Sequence, residues 1–317
     1  MNFIIPNISK FTDSEKLCSS FPQEVTEITY DFRYVSFMPI SYMVFIAGYS
    51  HGVARLGGNV KIKLESIKPS LLRYMQRMDF FKLAGIDLEE DFVRHESQNR
   101  FMPMKKIGLN GEIKTERIAT SIADCIVPEE ADETDPDKTN TYDCVEYSVS
   151  ELMNNVIQHS SASGYIAAQY YPSTDYIVVA VSDGGIGIRE SFEESGSPIS
   201  ASMHDDLTAL QKALEPTVSS KTHSAMSWGG TENAGVGLTL LGDIARQSGG
   251  YFFVCSGDAY ANNQGTQNLH RGRYQGTFGV FAFKKSRMKS SFSKYLDKSK
   301  VNAGLISPED EFDDIFG

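Results

Sequence analysis

Two apolar runs joined by a short turn constrain this chain more than any other feature. Tyr165 to Tyr171 and Tyr176 to Ser182 are rich in aromatic and β-branched residues, and Pro172-Ser-Thr-Asp175 separates them. That pattern predicts a β-hairpin. An isolated hairpin is marginal in water, so its neighbours decide what it becomes. Directly before it, Val145, Val149, Leu152, Met153, Val156 and Ile157 recur at helical spacing. On that helix Glu151, Asn155 and His159 stand four apart on one face. A carboxylate, a carboxamide and an imidazole beside an apolar stripe are costly to bury without partners. Taken alone, the same stripe also fits an ordinary solvated face.

Directly after the hairpin comes Asp183-Gly-Gly-Ile-Gly-Ile188. Residues 189–234 read as a long polar insert with one helix, Asp205 to Leu214, capped by Asp205 or His204 and stopped by Pro216. Inserts of this length commonly act as lids. Asn233-Ala-Gly-Val-Gly-Leu238 then opens a helix to Gln247 that Gly249-Gly250 ends. Tyr251 to Ser256 and Gly276 to Phe283 read as strands, with a polar loop from Gly257 to Tyr274 between them. A basic segment, Lys284 to Lys300, and an acidic one, Pro308 to Gly317, follow.

The N-terminal part reads as helix, strand, helix. The first helix runs from Pro39 to Arg55, the strand over Val60 to Leu64, and the second helix from Pro69 to about Gly85. A β-like stretch at Val25 to Tyr30 precedes them. Arg73, Arg77 and Lys82 read as a solvated face and Phe80-Phe81 as core. His95-Glu96 resembles a histidine-kinase phosphoacceptor, but the Ser-Gln-Asn-Arg that follows breaks the likeness. Phe101 to Ile107 predicts a strand and Glu112 to Val127 a helix. Pro128 to Thr141 predicts a flexible acidic loop.

With 317 residues the chain suggests two domains, and a net charge of −11 gives no electrostatic case for nucleic acid. No basic, apolar leader and no membrane-length apolar run is read, so a cytoplasmic protein without membrane contact is expected. Cys18, Cys125, Cys144 and Cys255 form no CxxC or zinc spacing and read as reduced thiols.

Each glycine cluster is weak evidence alone, and neither is a Walker A or a dinucleotide-binding motif. Their order is more specific: Glu-x-x-x-Asn on a helix, two strands, Asp-x-Gly-x-Gly, an insert, Gly-x-Gly-Leu opening a helix, and Gly-Thr on a strand. This order resembles the GHKL superfamily of ATPases and kinases, nearest the anti-sigma-factor serine kinases, over about residues 99–288. The resemblance implies an α/β fold: a two-layer sandwich with a mixed sheet, its lid over residues 189–234, preceded by an α/β module (residues 1–98) and followed by a charged tail (289–317). Gly58-Asn-Val and Tyr74 to Phe81 give the first module a likeness to STAS-like regulatory domains.

The resemblance also implies roles. Glu151 would polarise the attacking water or acceptor hydroxyl, and Asn155 would hold Mg²⁺ against the phosphates of ATP. Asp183 would accept the adenine amino group, with Gly185 and Gly187 as the hinge beneath the base. Gly235, Val236, Gly237 and Leu238 would line the phosphate side, and Thr277 would sit near Asp183. Lys221 is a lid cation within possible reach of the γ-phosphate, and His159 matches a histidine that often ends the first motif. Absence of a phosphoacceptor helix and of a transducer domain argues against a histidine kinase and against gyrase-like activity. Two functions remain open: an Mg-ATP-dependent ATPase or regulatory protein kinase, and a nucleotide-gated module that presents a surface to a protein partner. Self-association into a homodimer fits either.

Overall fold

A computed structural model describes residues 1–94, 100–108, 115–127, 139–196, 198–216, 218, 237–288, 292–302, 304 and 307. In chain order its main elements are β1 (Asn2–Ile4), α1 (Ser14–Ser20), β2 (Glu27–Asp31), α2 (Ile40–Arg55), β3 (Asn59–Ile62), α3 (Pro69–Arg77) and α4 (Phe80–Leu83). Then come β4 (Phe101–Ile107), α5 (Thr115–Ile126), α6 (Thr139–His159), β5 (Gly164–Tyr171), β6 (Tyr176–Asp183), α7 (Gly187–Glu194) and α8 (Asp206–Ala213). The last are α9 (Gly237–Gln247), β7 (Tyr251–Gly257), β8 (Ala259–Asn262), β9 (Gly265–Asn268), β10 (Tyr274–Lys284) and α10 (Phe292–Asn302).

The hairpin anchors a seven-stranded sheet in the order β4-β5-β6-β10-β7-β8-β9. Every pairing in it is antiparallel, which corrects the mixed sheet expected from the sequence. The cause is the seat of β10. It lies between β6 and β7 and runs antiparallel to both, so those two strands are parallel to each other but never adjacent. A separate three-stranded parallel sheet, β1-β2-β3, is built from the N-terminal part.

Strand alternation sends side chains to both faces of the large sheet, and both are buried. Ile177, Val179, Val181, Phe252, Val254, Phe281 and Phe283 share one core with the apolar sides of α5, α6 and α9. Val178, Ala180, Phe253, Phe278, Val280 and Ala282 share the other with α2 and the small sheet. Met43, Val44, Phe45 and Ile46 are all buried at consecutive positions. A helix apolar all round must be enclosed on several sides, and α2 lies between the two sheets. This core therefore draws on residues from both sides of the domain boundary expected from the sequence.

Several boundaries differ from expectation for identifiable reasons. The helix expected from Pro69 to Gly85 is broken at Asp79, whose left-handed backbone (φ 59°) separates α3 from α4. Phe80 and Phe81 are core, as expected. Thr139 to Thr141 belong to α6, so the acidic loop stops earlier than Thr141; its residues 128–138 lie outside the described residues. The insert begins with a helix, α7, because Gly187 (φ 78°) turns the chain straight into it. Asp205 caps α8 as expected, in a capping box with Thr208. The polar stretch before Tyr274 contains the hairpin β8–β9, and the basic segment contains α10, which packs Phe292, Tyr295 and Leu296 onto the helical core. His95 lies outside the described residues. All four cysteines are free thiols. No helix among the described residues is long and apolar enough to cross a membrane.

Candidate nucleotide site

α6 sets out the site along its length. Its apolar stripe is buried against the sheet, which leaves Glu151, Asn155 and His159 on the adjoining face, partly buried. Glu151 is pushed up from an ordinary 4.5 to about 6 by burial alone. Opposite it stands Gly237, the first residue of α9: a Cβ there would overlap the Glu151 carboxylate. Glycine at this position thus lets a carboxylate and a helix N-terminus meet. A helix N-terminus offers unsatisfied N–H groups and favours negative charge.

One turn on, the Nδ2 atom of Asn155 is buried and has no hydrogen-bond partner among the described residues. Which end of a carboxamide is N and which is O is an assignment made from its surroundings. Asn155 is therefore a buried amide with capacity to spare. No group of three or more His, Cys, Asp or Glu able to hold a metal ion occurs among the described residues. A single oxygen donor beside a helix N-terminus is compatible with Mg²⁺, which takes few protein ligands and fills the rest of its shell with other oxygens.

At the far end of α6 lies the Asp183 turn. Glu151 and His159 are about 12 Å apart along the helix axis. Ser160, just past the helix, accepts a hydrogen bond from Ile186 N at 3.0 Å. A Cβ on Gly185 would overlap the Ser160 carbonyl, so only glycine passes there. Asp183 itself is fully buried. Its Oδ1 accepts from Gly185 N at 2.9 Å, and the Thr277 backbone also bonds to it. Burial pushes the carboxyl from 3.8 up to about 7, against those two backbone bonds and the more distant Arg55 charge.

Thr277 reaches Asp183 because β10 carries an irregularity. The register against β7 shifts between Tyr274 and Thr277, and Gly276 between them adopts φ 93°. A Cβ on Gly276 would overlap both the Asp183 carbonyl and its carboxylate. Ser256 on β7 completes the bracket: its hydroxyl donates to the Gly276 carbonyl and accepts from Ile188 N, each at 2.9 Å.

Glu151, Asn155, Asp183, Gly185, Gly187, Gly237 and Thr277 thus converge around the end and one face of α6, and Leu238 follows Gly237 into the helical core. His159 closes α6 and has interactions of its own. Gly235, Val236 and Lys221 lie outside the described residues.

Sequence reasoning missed the residues behind the turn. Arg55, the last residue of α2, donates from Nε to the Gly184 carbonyl at 3.1 Å and from Nη2 to the Gly185 carbonyl at 3.2 Å. Gln275 Nε2 donates to the same Gly185 carbonyl at 3.0 Å. The one available signal was Gly48-x-x-x-Gly52 on a helix apolar all round, a spacing that admits another backbone at close range.

No protein-family model, curated protein or solved structure matches this chain.

Proposed function

We propose that this chain is a GHKL-type protein that binds Mg-ATP along α6, with adenine at Asp183 and the γ-phosphate between Glu151 and the start of α9. One observation carries the reading: a partly buried carboxylate on α6, Glu151, faces the start of α9, and a fully buried one, Asp183, sits in the glycine turn just past the end of α6, each with its charged form disfavoured by burial. Burying two carboxylates without an ion-pair partner in contact costs stability, and such a cost is characteristic of functional sites.

Each residue has a definite task in this reading. Asp183 accepts the exocyclic amino group of the base while Thr277 and Gly185 orient it. Asn155 supplies an oxygen to Mg²⁺, which when bound neutralises phosphate charge. Glu151, titrating near 6, is ionised at neutral pH yet more basic than an ordinary carboxylate, which suits it to take a proton from water or an acceptor hydroxyl. Phosphoryl transfer asks little more of a protein than position and charge.

A second reading, a nucleotide-gated interaction module, is supported by α7 and α8. Both follow the Asp183 turn directly and pack on one another around Phe192, Met203 and Ala209. Nucleotide at the turn would bear on that pair and on any partner surface it forms.

Phosphate release from Mg-ATP by the purified protein separates the two. The enzyme reading expects turnover that Glu151→Ala abolishes while binding persists; binding without turnover in the wild type leaves the gating reading. Asp183→Ala is expected to eliminate adenine-nucleotide binding, and unchanged affinity would sink both.

A further inference from the structure

Gly184 is the unassigned position of Asp-x-Gly-x-Gly, and the surroundings explain why it is glycine. A Cβ there would overlap the backbone of Gly52 and the carbonyl of Gly48, so α2 lies directly against the turn. Reciprocally, a Cβ on Gly48 would overlap the Ser182 and Tyr274 hydroxyls. Ser182 in turn donates to the Val44 carbonyl of α2. Past this contact, Arg55 reaches over the turn with the two hydrogen bonds already described. These bonds join residues 129 and 130 positions apart, across the boundary between the N-terminal module and the rest.

The Gly184 carbonyl that Arg55 holds shares its peptide plane with the Gly185 N–H, one of the donors fixing Asp183, and the Gly185 carbonyl shares the next plane with the Ile186 N–H, which donates to the Ser160 carbonyl. Rotation of the first plane would swing the Gly185 N–H away from the carboxylate, and rotation of the second would break the Ile186–Ser160 bond that closes the turn. Glycine turns rotate easily, so something outside the turn must hold these planes. Gln275 holds one; Arg55 holds both.

We infer that Arg55 is a positioning residue for the base end of the site, and that α2 makes the N-terminal module a structural wall of the nucleotide site rather than an appended unit. This rests on the proposed Mg-ATP reading. It identifies the N-terminal module as the part whose own state sets the affinity for adenine, because any displacement of α2 releases the Gly184 and Gly185 carbonyls together.

The test is calorimetric titration of the full chain with Mg-ADP, and separately with Mg-tripolyphosphate, for wild type, Arg55→Met and Arg55→Lys. Melting temperature is recorded for each. Hydrogen bonds from a charged donor at a partly exposed site imply a weakening for Mg-ADP of roughly five- to tenfold in Arg55→Met. Arg55→Lys should recover part of it, because an ammonium can reach one carbonyl but not fork to two. Tripolyphosphate, which lacks the base, should bind all three proteins alike. Gly184→Ala, which keeps the Arg55 side chain but wedges α2, and Arg55 with it, away from the turn, should reproduce the selective loss. Equal Mg-ADP affinity in wild type and Arg55→Met overturns the inference and leaves the ATP reading intact. Parallel loss of both ligands overturns it too, since general loosening would then explain the effect. No Mg-ADP binding by the wild type removes the ATP reading itself, and the inference with it.

Discussion

The two ends of the candidate site, the Asp183 turn past the end of α6 and Glu151 about two turns back along it, are built on different principles. At the Asp183 end, three glycines are pressed against backbone: Gly185 on the Ser160 carbonyl, Gly184 on Gly52, and Gly276 on the Asp183 carbonyl. At the Glu151 end, the one close contact of Gly237 is the tip of a flexible side chain, and Asn155 has an amide nitrogen with no partner among the described residues. The Asp183 end is a rigid mould. The Glu151 end is a set of groups with room to move and, at Asn155, hydrogen-bonding capacity to spare. In a nucleotide site that division is economical, since the base is read by fixed geometry while the reacting phosphate needs groups that move during the reaction.

The same substitution should therefore have opposite consequences at the two ends. Gly185→Ala forces a methyl group into a backbone carbonyl and should destabilise the fold by about 3 kcal/mol or more, read as a shift in the denaturant midpoint at unchanged slope. Retention of wild-type stability would show that the Asp183 end is not a mould. Gly237→Ala should leave stability within about 1 kcal/mol, because Glu151 can rotate aside and alanine suits a helix. Displacing the Glu151 carboxylate should nonetheless lower phosphate release roughly a hundredfold. A variant that unfolds instead would erase the contrast.

pH sharpens the comparison further. Both carboxyls bind protons more tightly folded than unfolded, so the stability they contribute is complete below their ordinary values and is lost as pH rises through about 6 for Glu151 and about 7 for Asp183. For Glu151 that loss is about 2 kcal/mol. Glu151→Gln should lack it, becoming more stable than wild type at pH 8 and no more stable at pH 4 in paired denaturation curves. If the two proteins show parallel pH dependence, Glu151 is not under strain from burial. The smallest effect belongs to Gly52→Ala. Its Cβ would sit 3.4 Å from Gly184 Cα, an ordinary contact, so stability should rise by up to about 1 kcal/mol through helix propensity. A marked loss would mean that α2 approaches the turn more closely at Gly52 than at Gly48.

What could be read in advance followed from periodicity. The β5–β6 hairpin, α6 and α9 are long and strongly patterned, and each was placed within about two residues, or extended outward from its apolar window. β8 and β9 escaped because both are only four residues long, and β9, the outermost strand, is polar throughout (Gly-Thr-Gln-Asn). α10 escaped because its lysines and serines mask Phe292, Tyr295 and Leu296 at spacings of three and one. For the site, local motifs gave Glu151, Asn155, Asp183 and Thr277. They gave no hint of Arg55, whose partners are more than a hundred positions away and consist only of carbonyls, which every residue has.

The seat of β10 has a consequence for how the molecule is made. It is the last of the described strands in the chain, yet it occupies the middle of the sheet. Until residues 274–284 leave the ribosome, β4-β5-β6 and β7-β8-β9 are separate three-stranded pieces, each with an open edge where β10 belongs. During that interval the exposed edge of β6 is a template for wrong pairing. Because Thr277 lies on the same strand, its bond to Asp183 forms only when the two halves are joined. Completion of the sheet and readiness of the base end of the site are thus one event, and a nascent chain stopped before residue 274 would have neither.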